Sequence, residues 1–290
     1  MNQSPILFTR KLPVFFHIPK NAGSYVSNIV WFMMQYYCYV KLWYFYDEDE
    51  SLIKGSMKRI SIVNAKNFKM FQVYGYDHIS EPERHDEECS LKDFINYYSN
   101  TPFEIFFIIV ESTGFSSYSS LLNRLSGFDF VKFAILRDPF NRECSIYNYI
   151  KSSASNHERN KLTINHTSFT DYLNSYQVSD SWLMRSFIDV ENNEELTDVH
   201  FRLICKILNT FKLCDIKDTD NIINKVFMEC YDINVDNVFE YVHKDEYIDK
   251  NKNNISKVGE EEIDEDTLKR FRERVRYEYK IYNKYTKTAT

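Results

Sequence analysis

The chain predicts an α/β fold: a mostly parallel β-sheet flanked by helices, with a helical C-terminal part. Three observations carry that expectation. Strand-like runs alternate with helix-like segments over the first half of the sequence. Two of the runs, residues 12–18 and 128–136, are almost continuously apolar, as strands buried on both faces are. From about Asp171 onward apolar residues recur at helical rather than strand spacing. With 290 residues and no internal repeat, Pro-rich linker or low-complexity block, a single domain over 1–290 is expected.

In chain order, residues 12–18 give the first strand. A helix follows over about 24–39, with Val26, Ile29, Val30, Met33 and Tyr37 at spacings of three and four. The acidic run 47–50 reads as a solvated loop. Residues 68–76 alternate well enough for a second strand and lead into a charged loop, "EPERHDEEC" (81–89). A helix-like segment at 90–98, a β-rich run at 102–110 and a further helix-like segment at 116–125 precede the strand at 128–136. An amphipathic terminal helix closes the chain, with Leu268, Phe271, Val275, Tyr279 and Tyr282 marking one face.

Composition excludes some classes. The chain is 43% hydrophobic with 22 Tyr and 23 Phe, far from a disordered composition. A net charge of −6 argues against a nucleic-acid partner, because duplex binding needs many phosphates neutralised. The charge is uneven: no acidic residue precedes Asp47, whereas Arg10, Lys11, Lys20 and Lys41 are basic, a bias that suits a small anion. Six cysteines without a C-x-x-C pair point to reduced thiols and an intracellular setting. No signal-peptide pattern opens the chain. The most apolar window, 29–40, is shorter than the roughly 20 residues of a membrane span and reads as a buried helix. A soluble, cytoplasmic protein is expected, with the Golgi lumen as its place only if an N-terminal anchor has been removed. The glycosylation-type triplets at Asn165 and Asn254 then read as chance.

Two short stretches carry chemistry. In "FFHIPKNAGSY" a strand is followed by a lysine, Lys20, and a small-residue turn at Ala22, Gly23 and Ser24 opens a helix. Strand, tight turn and helix start is a general phosphate-holding device, because free backbone N–H groups and the helix dipole both favour negative charge. Gly23 would let the backbone approach a ligand, and Asn21 or Ser24 would cap the helix. The order is not that of a Walker A loop, whose lysine follows its second glycine. In "LRDPFNRECSIY" Asp138 as N-cap and Pro139 at the first helical position start a helix, which fixes Arg137 at the carboxyl end of a buried strand. Asn141, Ser145 and Asn148 share a polar face of that helix. An arginine fork and a hydroxyl can hold a second phosphate. The alternative is a surface helix whose Asp138 pairs with Arg142.

Together the two stretches resemble the sulfotransferases that use 3′-phosphoadenosine-5′-phosphosulfate (PAPS), "HIPKNAGS" being similar to their 5′-phosphosulfate loop and "RDPFNRECSIY" to their 3′-phosphate motif. The likeness is nearest to the carbohydrate sulfotransferases of the heparan sulfate 2-O type. "DSWLMRSFI" (180–188) and "YEYKIYNKY" extend it more faintly. Asn21 stands where the family usually has Thr or Ser, Tyr25 where a small hydroxyl residue is common, and Glu143-Cys144 where apolar residues are typical.

The resemblance implies a P-loop-like sheet and in-line transfer of a sulfuryl group from PAPS to a hydroxyl acceptor, a sugar hydroxyl being favoured over tyrosine or a small alcohol. Lys20 would stabilise the leaving phosphate, Asn21, Ala22, Gly23, Ser24 and Tyr25 would cradle it, and Arg137 with Ser145 would hold the 3′-phosphate. His78, past the strand at 68–76, stands where the family has its catalytic base. No metal is required. A zinc site of His78, His85 and Cys89 matches no common spacing. Arg84, Lys151, Arg159, Lys161 and Arg185 are the candidate cations for an acidic acceptor. The rivals are a catalytically degenerate nucleotide- or glycan-binding protein of the same fold, and a P-loop-like nucleotide-dependent kinase.

Overall fold

The computed structural model describes residues 11–18, 20–36, 40–47, 68–74, 85–88, 105–112, 129–151, 168–175, 178–188, 190, 194–236, 239 and 263–287. Their strands are β1 (Leu12–His17), β2 (Val40–Asp47), β3 (Phe68–Tyr74), β4 (His85–Glu88), β5 (Ile105–Ser112), β6 (Phe130–Leu136) and β7 (Lys212–Asp215). Their helices are α1 (Gly23–Tyr36), α2 (Pro139–Lys151), α3 (Phe169–Asn174), α4 (Trp182–Phe187), α5 (Asp198–Leu208), α6 (Thr219–Tyr231), α7 (Glu265–Arg274) and α8 (Arg276–Thr286).

The strands form one sheet in the order β4-β3-β2-β5-β1-β6-β7. The pairs β2–β5, β5–β1, β1–β6 and β6–β7 are parallel, while β3 and β4 add on antiparallel at one edge. The α/β class is therefore as expected.

Alternation along β1 divides its side chains between two cores. Leu12, Val14 and Phe16 pack with β6 residues Ala134 and Leu136 against α4, α5 and α8, through Leu183, Phe187, Ile204, Leu208 and Ile281. Phe15 turns to the opposite face, where Phe133 and Ile135 meet α1 and α6 through Val26, Ile29, Val30, Ile223 and Phe227. This division follows from handedness. The chain leaves β1 towards one edge of the sheet and β6 towards the other, and right-handed crossovers then place the connecting helices on opposite faces. The adjacent carboxyl ends of β1 and β6 are thus a topological switch point, where open parallel sheets bind ligands. A third core joins α2, α3 and α7 through Phe140, Cys144, Tyr147, Phe169, Tyr172 and Phe271.

Several local expectations need correction. The apolar window 29–40 is not one helix: α1 stops at Tyr36, and Val40 begins β2, which pairs in parallel with β5. Asp47, expected in a solvated loop, closes β2 in register with Ser112 and Phe68. Residues 85–88, expected in a charged loop, form β4 against β3. The chain beyond Asp171 contains a strand, β7, against β6. The terminal helix is two helices broken at Val275, and its deepest contacts with the sheet core are Tyr277 and Ile281 rather than Tyr279 and Tyr282.

The four described cysteines, Cys144, Cys205, Cys214 and Cys230, are free thiols. No helix among the described residues is long and apolar enough to cross a membrane. The helix-like segments 90–98 and 116–125, residues 48–50, Asn165 and Asn254 lie outside the described residues.

Candidate anion site

The loop after β1 has an unusual backbone. Lys20 (φ 64°) and Ala22 (φ 61°) are both left-handed, on either side of Asn21. A left-handed non-glycine residue costs roughly 1–2 kcal/mol, so two in three positions must be held by their surroundings. Left-handed residues in a turn are one element of the backbone concavities that bind anions. The Asn21 N–H donates back to the Ile18 carbonyl at 3.0 Å, and the Ala22 carbonyl accepts the first helical bond from Val26 at 2.9 Å. Gly23 opens α1, and Ser24 and Tyr25 follow in its first turn.

Two hydrogen bonds to β6 do the holding. The Asn21 side chain is only 2% exposed, and its Nδ2 donates to the Ile135 carbonyl at 2.9 Å. Arg137 Nη1 donates to the Lys20 carbonyl at 3.1 Å. Asn21 is therefore not a helix cap, as the sequence suggested, but a clamp between the loop and the neighbouring strand. Its Oδ1 is buried without a hydrogen-bond partner among the described residues.

The clamp brings two cations together. Burial and then the Arg137 charge pull the Lys20 pKa down from its usual value to about 8. Burial also lowers the Arg137 pKa, partly offset by Cys144, Asp138 and Asp215. Asp215, at the end of β7 in register with Leu136, accepts from the Tyr282 hydroxyl at 2.5 Å and from the Lys217 N–H at 2.9 Å. It belongs to a strand the sequence did not reveal.

Gly23 has a close neighbour in the sheet. A Cβ built at position 23 would lie 1.8 Å from His17 Nε2 and 2.2 Å from Cε1, so the His17 imidazole fills the space that any side chain there would need. The His17 ring also stacks on Phe15, with centroids 5.8 Å apart. The close approach at this glycine is made by a side chain of β1.

Beyond β6, Asp138 caps α2 as expected: its Oδ1 accepts from the Asn141 N–H at 3.0 Å, and its carbonyl from the Arg142 N–H at 2.9 Å. Arg142 does not pair with Asp138. It is buried, its Nη2 lying 2.9 Å from Glu143 Oε1 and its Nη1 3.3 Å from Glu278 Oε1. Burial opposes its charge, yet Glu278 and Glu143 outweigh burial and raise its pKa. Tyr172 donates to Glu143 Oε2 at 2.7 Å, and Glu278 Oε1 accepts from Ser181 Oγ at 3.1 Å and the Leu183 N–H at 2.8 Å. This network joins α2, α3, α4 and α8. Arg142, Glu278, Asn21, Arg137 and Tyr282 line a small cavity beside the loop. Glu143-Cys144 is thereby explained: Glu143 partners the buried arginine, and Cys144 packs with Phe140 and Tyr147.

Ser145 lies further along α2, half-buried, and Asn141 is exposed. The Tyr25 hydroxyl donates to Asp220 Oδ1 on α6 at 2.6 Å, and burial followed by that bond raises its pKa, so its side chain braces α1 against α6. Arg185 is no surface cation: it forms a two-point pair with Asp180, at 2.8 and 2.7 Å, and donates to the Glu194 carbonyl. His78 lies outside the described residues, as do Cys89, Arg84, Arg159 and Lys161. His85 is in β4, and among the described residues no group of three His, Cys, Asp or Glu is placed to hold a metal ion. No family model matches the chain, and no curated protein is significantly similar to it.

Proposed function

We infer that the chain is a PAPS-dependent sulfotransferase acting on a hydroxyl acceptor, with a carbohydrate as the favoured acceptor. The observation that supports this reading is the Arg137–Lys20 hydrogen bond, which joins the two stretches carrying the resemblance across 117 residues of sequence. Both sit at the carboxyl ends of adjacent parallel strands, where a P-loop-like site belongs. The donor fits the chemistry of these residues. A half-buried lysine whose pKa is lowered first by burial and then by a neighbouring arginine is stabilised by an anion, and N–H groups of the turn and helix start would face its phosphate.

On this reading Asn21 to Tyr25 cradle the 5′-phosphosulfate, while Arg137 and Ser145 take the 3′-phosphate. The acceptor oxygen bonds to sulfur as the sulfur–oxygen bond to the 5′-phosphate breaks. The electron pair leaves with the bisphosphate, whose growing charge Lys20 offsets, and the acceptor proton passes to His78.

The test is a thermal-shift titration with adenosine 3′,5′-bisphosphate beside AMP and ATP. A ligand bound only by the native state stabilises it by about 2.7 kcal/mol at a hundredfold excess over Kd. A rise confined to the bisphosphate is expected. No rise, or an equal one with ATP, overturns the reading, and an ATP response that requires magnesium favours a kinase. Binding of the bisphosphate without turnover on an acceptor panel favours a degenerate binding protein.

A further inference from the structure

We propose that His17 is a positioning residue for the anion loop: its imidazole, wedged where a side chain at position 23 would lie, seats the first turn of α1 and so sets where the loop's N–H groups point. The inference rests on the anion reading of the loop but can fail separately from it.

The argument begins with what Gly23 lacks. The nearest three atoms to a Cβ at position 23 are all in the His17 ring, at 1.8 to 2.3 Å, so the ring or the helix start must shift before a side chain fits there. Gly23 does not have the left-handed backbone that would by itself call for glycine, unlike Lys20 and Ala22. With the ring where it stands, it is the ring rather than backbone conformation that calls for glycine. The ring in turn is braced by Phe15, which stacks on it and on Phe133 at 5.0 Å. Phe15 packs in the same core as Val26, Ile29 and Val30 of α1. His17 therefore transmits the position of the rigid sheet to the start of the helix, three residues after Lys20. Asn21 fixes the other side of the loop to β6.

A double-mutant cycle decides the matter, using Gly23→Ala, His17→Ala and the double variant. Gly23→Ala leaves a methyl in collision with the ring and shifts the helix start. His17→Ala removes the ring and leaves room for that methyl. Two readouts are taken: the backbone amide NMR shifts of residues 20–25 without ligand, and the Kd for adenosine 3′,5′-bisphosphate measured well below the melting temperature. Gly23→Ala is expected to displace those shifts and weaken binding by about tenfold or more. The double variant should return the shifts towards those of His17→Ala and bind within about threefold of it, since contacting residues couple by up to roughly a hundredfold.

If Gly23→Ala does not fold and the double variant does, the contact is confirmed by that rescue. If neither folds, or the double variant is as displaced as Gly23→Ala, the glycine serves something other than the ring and the proposal is overturned. Recovery of the amide shifts without recovery of binding also overturns it, because the glycine then faces the ligand. If the wild-type protein does not bind the bisphosphate, the anion reading falls while the amide cycle still decides the placement of the loop by His17.

Discussion

Arg137 donates from Nη1 to the carbonyl oxygen of Lys20, 3.1 Å away, although the two residues lie 117 positions apart. The bond has two effects. It helps to fix a lysine in a left-handed backbone conformation, and it holds the guanidinium close enough for its charge to add to burial in lowering the pKa of the lysine ammonium. Two like charges at one strand edge suit the binding of a multiply charged anion and are a cost in its absence.

Arg137→Lys tests the fork rather than the charge. A lysine cannot bond the Lys20 carbonyl and a phosphate with the same rigid geometry. Loss of charge-assisted hydrogen bonds of about 1.5–3 kcal/mol predicts bisphosphate binding weakened roughly 10- to 150-fold. Isothermal titration calorimetry at fixed salt measures it; an unchanged Kd would remove Arg137 from the site.

The Lys20 pKa of about 8 gives a pH dependence with a definite sign. In the free protein Lys20 loses its proton through pH 8, and a bound dianion requires it back. Affinity for the bisphosphate should therefore fall as pH rises from 7 to 9, and Lys20→Met should abolish that slope. Stability of the free protein runs the other way. Between about 8 and the unfolded value of 10.5 the unfolded chain holds more protons at this site, so this contribution to stability rises with pH. Lys20→Met is accordingly expected to bind at least tenfold more weakly while melting no lower than the wild type at pH 7. Calorimetry and thermal melts over pH 6.5–9.5 read both.

Asn21→Ala removes the buried bond to Ile135 and leaves that carbonyl unsatisfied, which predicts a loss of about 1–3 kcal/mol in stability. Asn21→Thr, the residue usual in the resembling family, has no amide to donate in the same way and should be destabilising too. Chemical denaturation measures both, and a Thr variant as stable as the wild type would mean that the clamp contributes nothing.

How far the sequence could be read follows from where each signal resides. β1 and β6 were legible because a strand buried on both faces is continuously apolar, and the α2 start because Asp138-Pro139 is a local signal. β2 was hidden because its run continues the apolar stretch of α1 without a break, and a short apolar run does not separate strand from helix. β4 and β7 have four residues each, all polar in β4 and half of them in β7, and are strands only by virtue of their neighbours. Lys20 and Arg137 were singled out by residue type and local motif, and the fold brings them together. The Asn21–Ile135 clamp, the His17 ring at Gly23 and the Arg142–Glu278 pair were not singled out, because each joins segments that only the fold brings together. For Arg142 the helical spacing of four offered Asp138 as the alternative partner, whereas the residue pairs with its neighbour Glu143 and, through the fold, with Glu278.

On the sulfotransferase reading His78→Ala should lower turnover about 10²- to 10⁴-fold, the range for a general base, with bisphosphate affinity unchanged. Sulfuryl transfer from labelled PAPS, measured beside bisphosphate binding, separates the two quantities. Normal turnover in this variant would remove His78 as the base and leave the phosphate contacts intact.

The buried arginine makes the last prediction, because its two carboxylates are not equivalent. Glu143 is next to Arg142 on α2, so their pairing persists whenever that helix forms, whereas Glu278 comes from α8 and also accepts from Ser181 and Leu183 at the start of α4. Glu278→Ala leaves an arginine charge half-compensated and strands two further donors, a change of the kind that costs about 3–5 kcal/mol. Glu278→Gln keeps an acceptor oxygen for those donors and should lose less. Denaturant unfolding of the pair gives the ordering. If the two variants are equally stable, the charge on Glu278 is not what holds α8 against α2 and α4.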